Sequence, residues 1–299
     1  MSVSRPSLSR IRSLASAALS ERLHEIHPDI DIDDKGYVPH FSENLLLGVE
    51  PEHFEVDLRQ GDGNELETKF RAAHSSSALA VNTFALFRDR PGDLMLCDLT
   101  GFENIAFERK CPTGLRGGRS PNLDVVAERP GHVVAVESKC LEYLSPHTAK
   151  FSPAYREQIK DGRREGLWFA AMLRALEQPN EYRHLDVAQL IKHAFGLAPT
   201  FPGQDVTLLY LYWEPANANV FDVFHEHRAE IERFAECIRG ATPRFRALSY
   251  PALWSVWSRA SAAGWLGPHV ESLRERYLVT LGAQIVNDGG RGELTSPSD

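Results

Sequence analysis

The chain has 299 residues, 42% of them hydrophobic and 25% charged, which is the composition of an ordinary globular protein with one large domain or a domain plus an appendage. No run of about 18 apolar residues occurs, so the sequence predicts no membrane-spanning helix. The net charge of −8 argues against a nonspecific, tight DNA binder, and four scattered cysteines argue against a zinc knot or disulfide framework and agree with a cytoplasmic location.

The first 60 residues predict a helix followed by acidic, irregular sequence. Residues 1–23 are rich in Ser and Arg, and no acid precedes Glu21. Organellar transit peptides share this pattern with amphipathic helices, and both interpretations stay open. We favour the amphipathic helix.

Two short helices are predicted next. The first begins at Glu65, behind a Gly-Asp-Gly punctuation, and carries an apolar stripe; the second covers Ala78–Phe87 and is capped by the serines at 75–77. The remaining elements are strands at Leu94–Leu99 and Asn104–Arg109, a hairpin over 122–139, helices over 152–177 and 185–195, the latter closing at Gly196, a strand at Val206–Trp213, and helices over 225–239, 251–263 and 267–283.

The predicted hairpin over 122–139 contains the main candidates for a functional site. Two β-branched, apolar runs flank the turn Pro130-Gly131, and counting outward from that turn places Asp124 opposite Glu137. Opposed residues of an antiparallel pair share one face, about 5 Å apart at Cβ, and alternation adds Lys139 to that face. Two carboxylates and one ammonium group therefore converge, a set that is costly to bury unless it is paired or holds a metal.

A simpler interpretation competes with this one. The [DE]-x-K pattern also occurs at Glu67-Thr68-Lys69 and at Asp33-Asp34-Lys35, and a surface hairpin with a solvated charge pair would contain the same letters. The runs Leu123–Ala127 and Val133–Val136 are apolar on both faces, however, which is typical of central strands. That context favours a buried hairpin in the middle of a sheet over an exposed one.

Asp124 followed by Glu137-Ser138-Lys139 resembles the core of the PD-(D/E)XK, or restriction-endonuclease-like, nuclease superfamily, with Pro121 displaced from the position directly before the Asp. The segment 65–82 is similar to one in a largely uncharacterised bacterial subgroup. The resemblance implies an α/β fold with an αβββαβ core, a mixed central sheet flanked by helices, and a helical C-terminal extension. We divide the chain accordingly into an N-terminal extension (1–60), a nuclease-like core (61–215), a helical part (216–285) and a disordered tail (286–299).

The same resemblance implies roles for individual residues. Asp124, Glu137 and the Ser138 carbonyl would bind Mg²⁺ or Mn²⁺, with Glu65, or else Glu67, adding a carboxylate from the preceding helix. Lys139 would position or activate the attacking water. Further candidates are Gln189, supporting the active site from the next helix, and phosphate contacts from His74, Ser76, Lys160, Arg163, Arg164 and Lys192. Solvated helix faces and a capping histidine are the competing interpretations of this last group.

The expected function is metal-dependent hydrolysis of DNA phosphodiester bonds, of restriction or defence type, and cleavage of both strands would favour a homodimer. Two alternatives remain open at this point. The first is a nuclease-fold module that binds nucleic acid or assembles without cutting. The second is a plain scaffold whose hairpin charges are surface pairs.

Overall fold

The computed structural model describes residues 6–60, 64–115, 120–157, 166–260 and 263–282, and a mixed sheet forms its centre. Its strands are β1 (Asn104–Lys110), β2 (Asn122–Arg129), β3 (His132–Lys139), β4 (Asp205–Tyr212) and β5 (Arg244–Ser249). They lie in the order β1-β2-β3-β4-β5. The first three strands are antiparallel neighbours, whereas β4 and β5 join parallel to β3. The result is the expected α/β class.

Helices cover both faces of this sheet. Within the described residues they are α1 (Leu8–Ile26), α2 (Glu55–Arg59), α3 (Ser76–Phe84), α4 (Pro153–Glu157), α5 (Leu167–Glu177), α6 (Val187–Thr200), α7 (Asp222–Cys237), α8 (Tyr250–Ala260) and α9 (Leu266–Tyr277). Helix α3 packs on β2 and β3, and α6 packs on β4. None of the helices in the described ranges is long and apolar enough to span a bilayer.

The hairpin has the predicted geometry. Arg129 pairs with His132 across Pro130-Gly131, and Gly131 has the positive φ of 77° that this tight turn requires. The side chains of β2, β3 and β4 are mostly buried, which confirms that the apolar runs are central strands. The hairpin is therefore interior to the sheet, and its charged end opens at one edge of the buried layer.

The helix predicted from Glu65 is absent. Residues 65–68 form turns, and a short 3-10 helix covers Lys69–Arg71. In a helix, the backbone carbonyls would accept hydrogen bonds from N–H groups four residues later. Here Asn44 Nδ2 donates to the carbonyls of Phe70 and Ala72 instead. Tertiary hydrogen bonds thus override the helical apolar spacing in this segment.

The predicted strand at Leu94–Leu99 is also wrong. Leu96 and Leu99 form only an isolated bridge around Cys97 and Asp98, whose φ values of 55° and 66° lie in the left-handed region. The Trp257 indole nitrogen donates to the carbonyl of Met95 at 2.8 Å, so the segment is fixed by α8 and not by a neighbouring strand. Its apolar side chains are buried under a turn.

Three further boundaries differ from the sequence prediction. Helix α6 does not close at Gly196 but continues to Thr200, and a Cβ at Gly196 would stand 2.2 Å from the Cys111 carbonyl oxygen. This glycine therefore permits close approach of two backbones, not a helix cap. Of the helix predicted over 152–177, the structure describes α4 and α5, and residues 158–165 lie outside the described residues. Strand β5 lies between the helices predicted over 225–239 and 251–263, where no strand was predicted.

The outer edge of β1 is covered by two side chains. Asp57 Oδ2 accepts a hydrogen bond from the Phe107 backbone N–H at 2.9 Å, and Arg88 Nη1 donates to the Ile105 carbonyl at 2.6 Å. Asp57 and Arg88 are themselves paired at 2.6 Å. An edge strand normally leaves such backbone groups open, and here two of them are occupied.

Candidate active site

A cleft of about 570 Å³ opens where β1, β2 and β3 meet the start of α3 and the face of α6. Its lining is strongly polar: Glu65, Lys69, Ser76, Ser77, Glu108, Ser120, Pro121, Asn122, Asp124, Glu137, Ser138, Lys139, Glu142, Tyr155, Asp186, Gln189, Lys192 and His193. Most of the residues singled out from the sequence therefore lie around one cavity.

The hairpin register positions the two carboxylates. Val125 pairs with Val136, and Asp124 and Glu137 are the next residues outward on each strand. Asp124 Oδ2 accepts a hydrogen bond from the Ser138 backbone N–H at 2.6 Å, which links the two strands at this level. The Ser138 side chain points to the other face, where its hydroxyl contacts the Ser76 carbonyl and the Tyr250 hydroxyl.

Glu137 lies between two basic side chains. Its Oε1 is 2.5 Å from Lys139 Nζ, and its Oε2 is 2.8 Å from His193 Nε2. Only 2% of Glu137 is exposed, so burial alone raises the pKa of its carboxyl. Lys139 and His193 more than offset that effect and lower the pKa to about 2. Glu137 is therefore an ionised carboxylate in a dry environment.

Lys139 is held in turn by α6. Its Nζ donates to Gln189 Oε1 at 2.9 Å in addition to its contact with Glu137. Burial by itself lowers the pKa of Lys139, but the carboxylates of Glu137, Glu142 and Asp124 raise it by more. The lysine is an ammonium group in this arrangement.

The pKa of Asp124 is shifted in the opposite direction from that of Glu137. Burial raises the pKa of its carboxyl, and the carboxylates of Glu137 and Glu108 raise it further, so that the net pKa is well above the ordinary value. Lys139 and the Ser138 N–H only partly oppose these effects. An ionised Asp124 is thus under-compensated by the protein, which is the condition in which a bound cation is favourable.

Two of the cleft residues that had not been identified as site candidates influence the carboxyls of Asp124 and Glu137 directly. Glu108 lies between Phe107 and Arg109, which pair with the residues on either side of Asp124, and its backbone has a positive φ of 47°. Its carboxylate accepts a hydrogen bond from Asn122 at 3.3 Å. The other residue is His193. Its spacing of four from Gln189 was a usable signal, because residues four apart share a helix face.

The remaining candidates divide into three groups. Glu65, which is bonded by the Ser77 hydroxyl, Ser76 and Lys192 line the cleft, whereas Glu67 is exposed and outside it. His74 is in a different pocket, beside α1, where its Nδ1 lies 3.1 Å from the Ser16 hydroxyl. Lys160, Arg163 and Arg164 lie outside the described residues.

The oxygen ligands of the cleft suit the divalent cation that the resemblance implies, although the protein alone does not enclose it. No group of three or more His, Cys, Asp or Glu side chains in the described part of the chain is arranged to hold a metal ion. Mg²⁺, however, is commonly bound by one or two carboxylates together with water and substrate phosphate oxygens. Asp124 and Glu137 supply two hard oxygen ligands in a cavity with room for water, so the chemistry of the site fits such an ion.

A five-stranded mixed sheet between helices, with Asp, Glu and Lys at adjoining ends of its central hairpin, defines a protein of the restriction-endonuclease-like class. A family model described as "restriction endonuclease associating with ARP" matches residues 12–278, and the chain belongs to that family. Membership places it among nuclease-type proteins. No curated protein and no solved structure gave a significant match.

Proposed function

We propose that the chain is a metal-dependent endonuclease that hydrolyses DNA phosphodiester bonds in restriction or defence. The observation that carries the proposal is the meeting of Asp124, Glu137 and Lys139 in one cleft at the end of the β2–β3 hairpin. A plain scaffold gains nothing from a carboxylate pair of which Glu137 is buried and Asp124, half-buried, is under-compensated.

The charge of the cleft supports a cation-dependent reaction. Six carboxylates line it, against three ammonium groups from Lys69, Lys139 and Lys192. DNA is a polyanion whose binding ordinarily depends on neutralisation of phosphates by basic side chains. A net acidic cleft can accept a phosphate only with additional positive charge, which divalent cations would supply.

Asp124 and Glu137 are the proposed metal ligands, with the Ser138 carbonyl and Glu65 as further ligands. A bound Mg²⁺ or Mn²⁺ would polarise the scissile phosphate and lower the pKa of an attacking water. The protein's own part is to hold the two carboxylates at one level of the hairpin. The hydrogen bond from the Ser138 N–H to Asp124 fixes one of them.

Lys139 is proposed to stabilise the negative charge that develops on the phosphate. Its pKa is raised by neighbouring carboxylates, which supports a cationic role over that of a base in the cation-free protein. Gln189 holds the ammonium group from the opposite side at 2.9 Å. Ser76 and Lys192 are proposed to contact flanking phosphates, as are His74, Lys160, Arg163 and Arg164.

Plasmid cleavage tests this function. Supercoiled plasmid and labelled linear DNA are incubated with the wild type in Mg²⁺, Mn²⁺ or EDTA, beside Asp124→Asn, Glu137→Gln and Lys139→Ala. We expect cation-dependent cutting that falls about 100-fold or more in each variant. Glu103→Gln, which changes an exposed acid just before β1, is the matched control and should cut normally. Equal cutting by all variants would refute the assignment.

A non-cleaving, nuclease-fold module is the second candidate, and one observation favours it. Both oxygens of Glu137 already have basic neighbours, and no three-residue metal cluster is formed among the described residues. Cation-dependent DNA binding without cleavage, under every condition of the plasmid assay, would select this candidate.

The proposal also includes partners. The matching family is described as associating with ARP, and we extend that association to this chain. Cleavage of both strands calls for two active sites, so a homodimer is part of the proposal as well. Light scattering should then give twice the chain mass of 33.5 kDa, and co-expression with ARP should give a complex that co-elutes.

A further inference from the structure

His193 contacts the carboxylate oxygen of Glu137 that Lys139 does not contact. It lies on α6, is 2% exposed, and brings Nε2 to 2.8 Å from Glu137 Oε2. Lys139 occupies the other oxygen, Oε1, at 2.5 Å. Both carboxylate oxygens of Glu137 are therefore contacted by basic side chains. Lys139 comes from the same strand, and His193 comes from the helix across the cleft.

The ring of His193 has no second anchor. Both of its nitrogens are buried, and neither forms a hydrogen bond with an atom of the described residues. The approach of Nε2 to Glu137 Oε2, at 2.8 Å, is therefore a close polar contact, and it fixes the distance between the ring and the carboxylate. Within the described part of the chain, no other group competes with Glu137 for the ring.

Its neighbour Lys192 does not share this arrangement. The Lys192 ammonium lies 5.5 Å from the centre of the Phe151 ring, and burial lowers its pKa. The helix therefore sends two different basic side chains toward the cleft, and only His193 contacts the proposed metal ligand.

Fixing a carboxylate has a consequence for cation binding. A glutamate has several rotatable bonds, and ordering them costs free energy each time a ligand is bound by a free side chain. With Oε1 and Oε2 each held in advance, Glu137 is ordered before a cation arrives. Partners that orient metal-ligating carboxylates typically change metal affinity or activity by about 10–100-fold when they are removed.

We propose that His193 is a positioning residue, which holds Glu137 in the orientation that binds the divalent cation. The proposal depends on the proposed function, because it takes Glu137 as a metal ligand. Three substitutions define the test. His193→Leu keeps the apolar volume and removes the donor, His193→Gln returns an N–H near the position of Nε2, and His269→Gln changes a buried histidine of α9 that contacts the Thr83 carbonyl, away from the cleft.

The measurement is the affinity of the full chain for Mn²⁺ alone, from the electron paramagnetic resonance signal of the free ion. We expect His193→Leu to bind Mn²⁺ about 10–100-fold more weakly than the wild type, and His193→Gln to recover most of that loss. His269→Gln should bind as the wild type does. Thermal unfolding without metal confirms that each variant is folded. If His193→Leu does not fold, His193→Asn, which withdraws the donor from the Nε2 position, replaces it.

Two unfavourable outcomes can be told apart. Wild-type affinity in both His193→Leu and His193→Gln, together with lost binding in Asp124→Asn, would overturn the positioning role and leave the metal site standing. Equal losses in His193→Leu and His193→Gln would also overturn it, since a structural defect predicts no rescue. Absence of Mn²⁺ binding by the wild type would refute the proposed metal site itself.

Discussion

Gln189 and His193 lie one turn apart on α6 and contact opposite members of one buried ion pair. Gln189 Oε1 accepts from Lys139 Nζ at 2.9 Å, while His193 Nε2 lies 2.8 Å from Glu137 Oε2. The spacing of four residues places both side chains on one helix face, and the spacing of two residues places both charges on one strand face. The four-residue spacing on the helix therefore matches the two-residue spacing on the strand, and each helix side chain meets one charged group.

Replacing Gln189 separates the contribution of Lys139 from that of Glu137. Gln189→Leu removes an acceptor of Lys139 and leaves the carboxylates untouched, so the ammonium group loses its orientation. We expect DNA cleavage to fall about 10-fold or more, with Mn²⁺ affinity unchanged. Single-turnover cleavage and Mn²⁺ titration check the two halves of the prediction. Leu173, half-buried on α5, offers a control in Leu173→Met. A parallel loss of cation affinity in Gln189→Leu would contradict this assignment.

Neutralising Asp124 should stabilise the cation-free protein at neutral pH. Because the folded protein raises the pKa of this carboxyl, folding carries a cost once Asp124 ionises, and that cost vanishes as the pH falls below the ordinary value of 3.8. Asp124→Asn keeps an oxygen for the Ser138 N–H. We expect its Tm in EDTA at pH 7 to exceed that of the wild type by about 2 °C or more.

The pH dependence supplies the control for this prediction. The Tm difference between Asp124→Asn and the wild type should shrink as the pH is lowered toward 4, since the wild-type carboxyl then takes up its proton. Addition of Mn²⁺ at pH 7 should raise the Tm of the wild type and not that of the variant. A variant that is less stable than the wild type at pH 7 would show that Asp124 is well compensated.

Lys139 should be worth more to stability than an exposed lysine. Lys139→Met leaves the buried Glu137 without its closest cation, and breaking one member of a buried pair costs about 3–5 kcal/mol. Glu137→Gln combined with Lys139→Met removes both charges and should lose less than the sum of the single variants. Urea unfolding of the four proteins in EDTA gives the coupling energy. Strictly additive losses would mean that the two charges are independently solvated.

Arg276 is predicted to hold the N-terminal third of the chain to the end of the fold. This arginine of α9 is 1% exposed and donates to the Leu19 carbonyl, Asn44 Oδ1 and the Ala73 carbonyl, at 3.1, 3.1 and 3.0 Å. Arg276→Met should lower the free energy of unfolding by about 3 kcal/mol, because three buried acceptors lose a donor. Arg274→Met, two residues earlier on α9 and partly exposed, is the matched control and should change it by less than about 1 kcal/mol.

The central hairpin could be predicted because its information is local. A two-residue turn fixes the register, and a fixed register brings Asp124 and Glu137 to one level without knowledge of any other element. The helices α1, α3, α6 and α7 follow similarly from short-range periodicity and caps. Ser75, for example, accepts from the Ala78 N–H as a cap should.

What sequence reasoning missed depends on partners distant along the chain. Glu108 reaches Asp124 through pairing of β1 with β2, and the connection between those strands is too long to set a register. The face shared by Gln189 and His193 was visible, but its partner on β3 was not. Strand β5 alternates charged and apolar residues, with Arg244 and Arg246 paired to Asp205 and Asp98, and was missed as a sheet edge.

The covering of β1 constrains how two copies could assemble. With Asp57 and Arg88 bonded to the outward backbone groups at Phe107 and Ile105, another strand cannot add there without first displacing a paired acid and base. A dimer that continued the sheet through β1, as β-augmentation does, is therefore disfavoured. Two cleavage sites brought to one duplex would have to be joined through surfaces other than the β1 edge, and those surfaces would then set the separation of the two cuts.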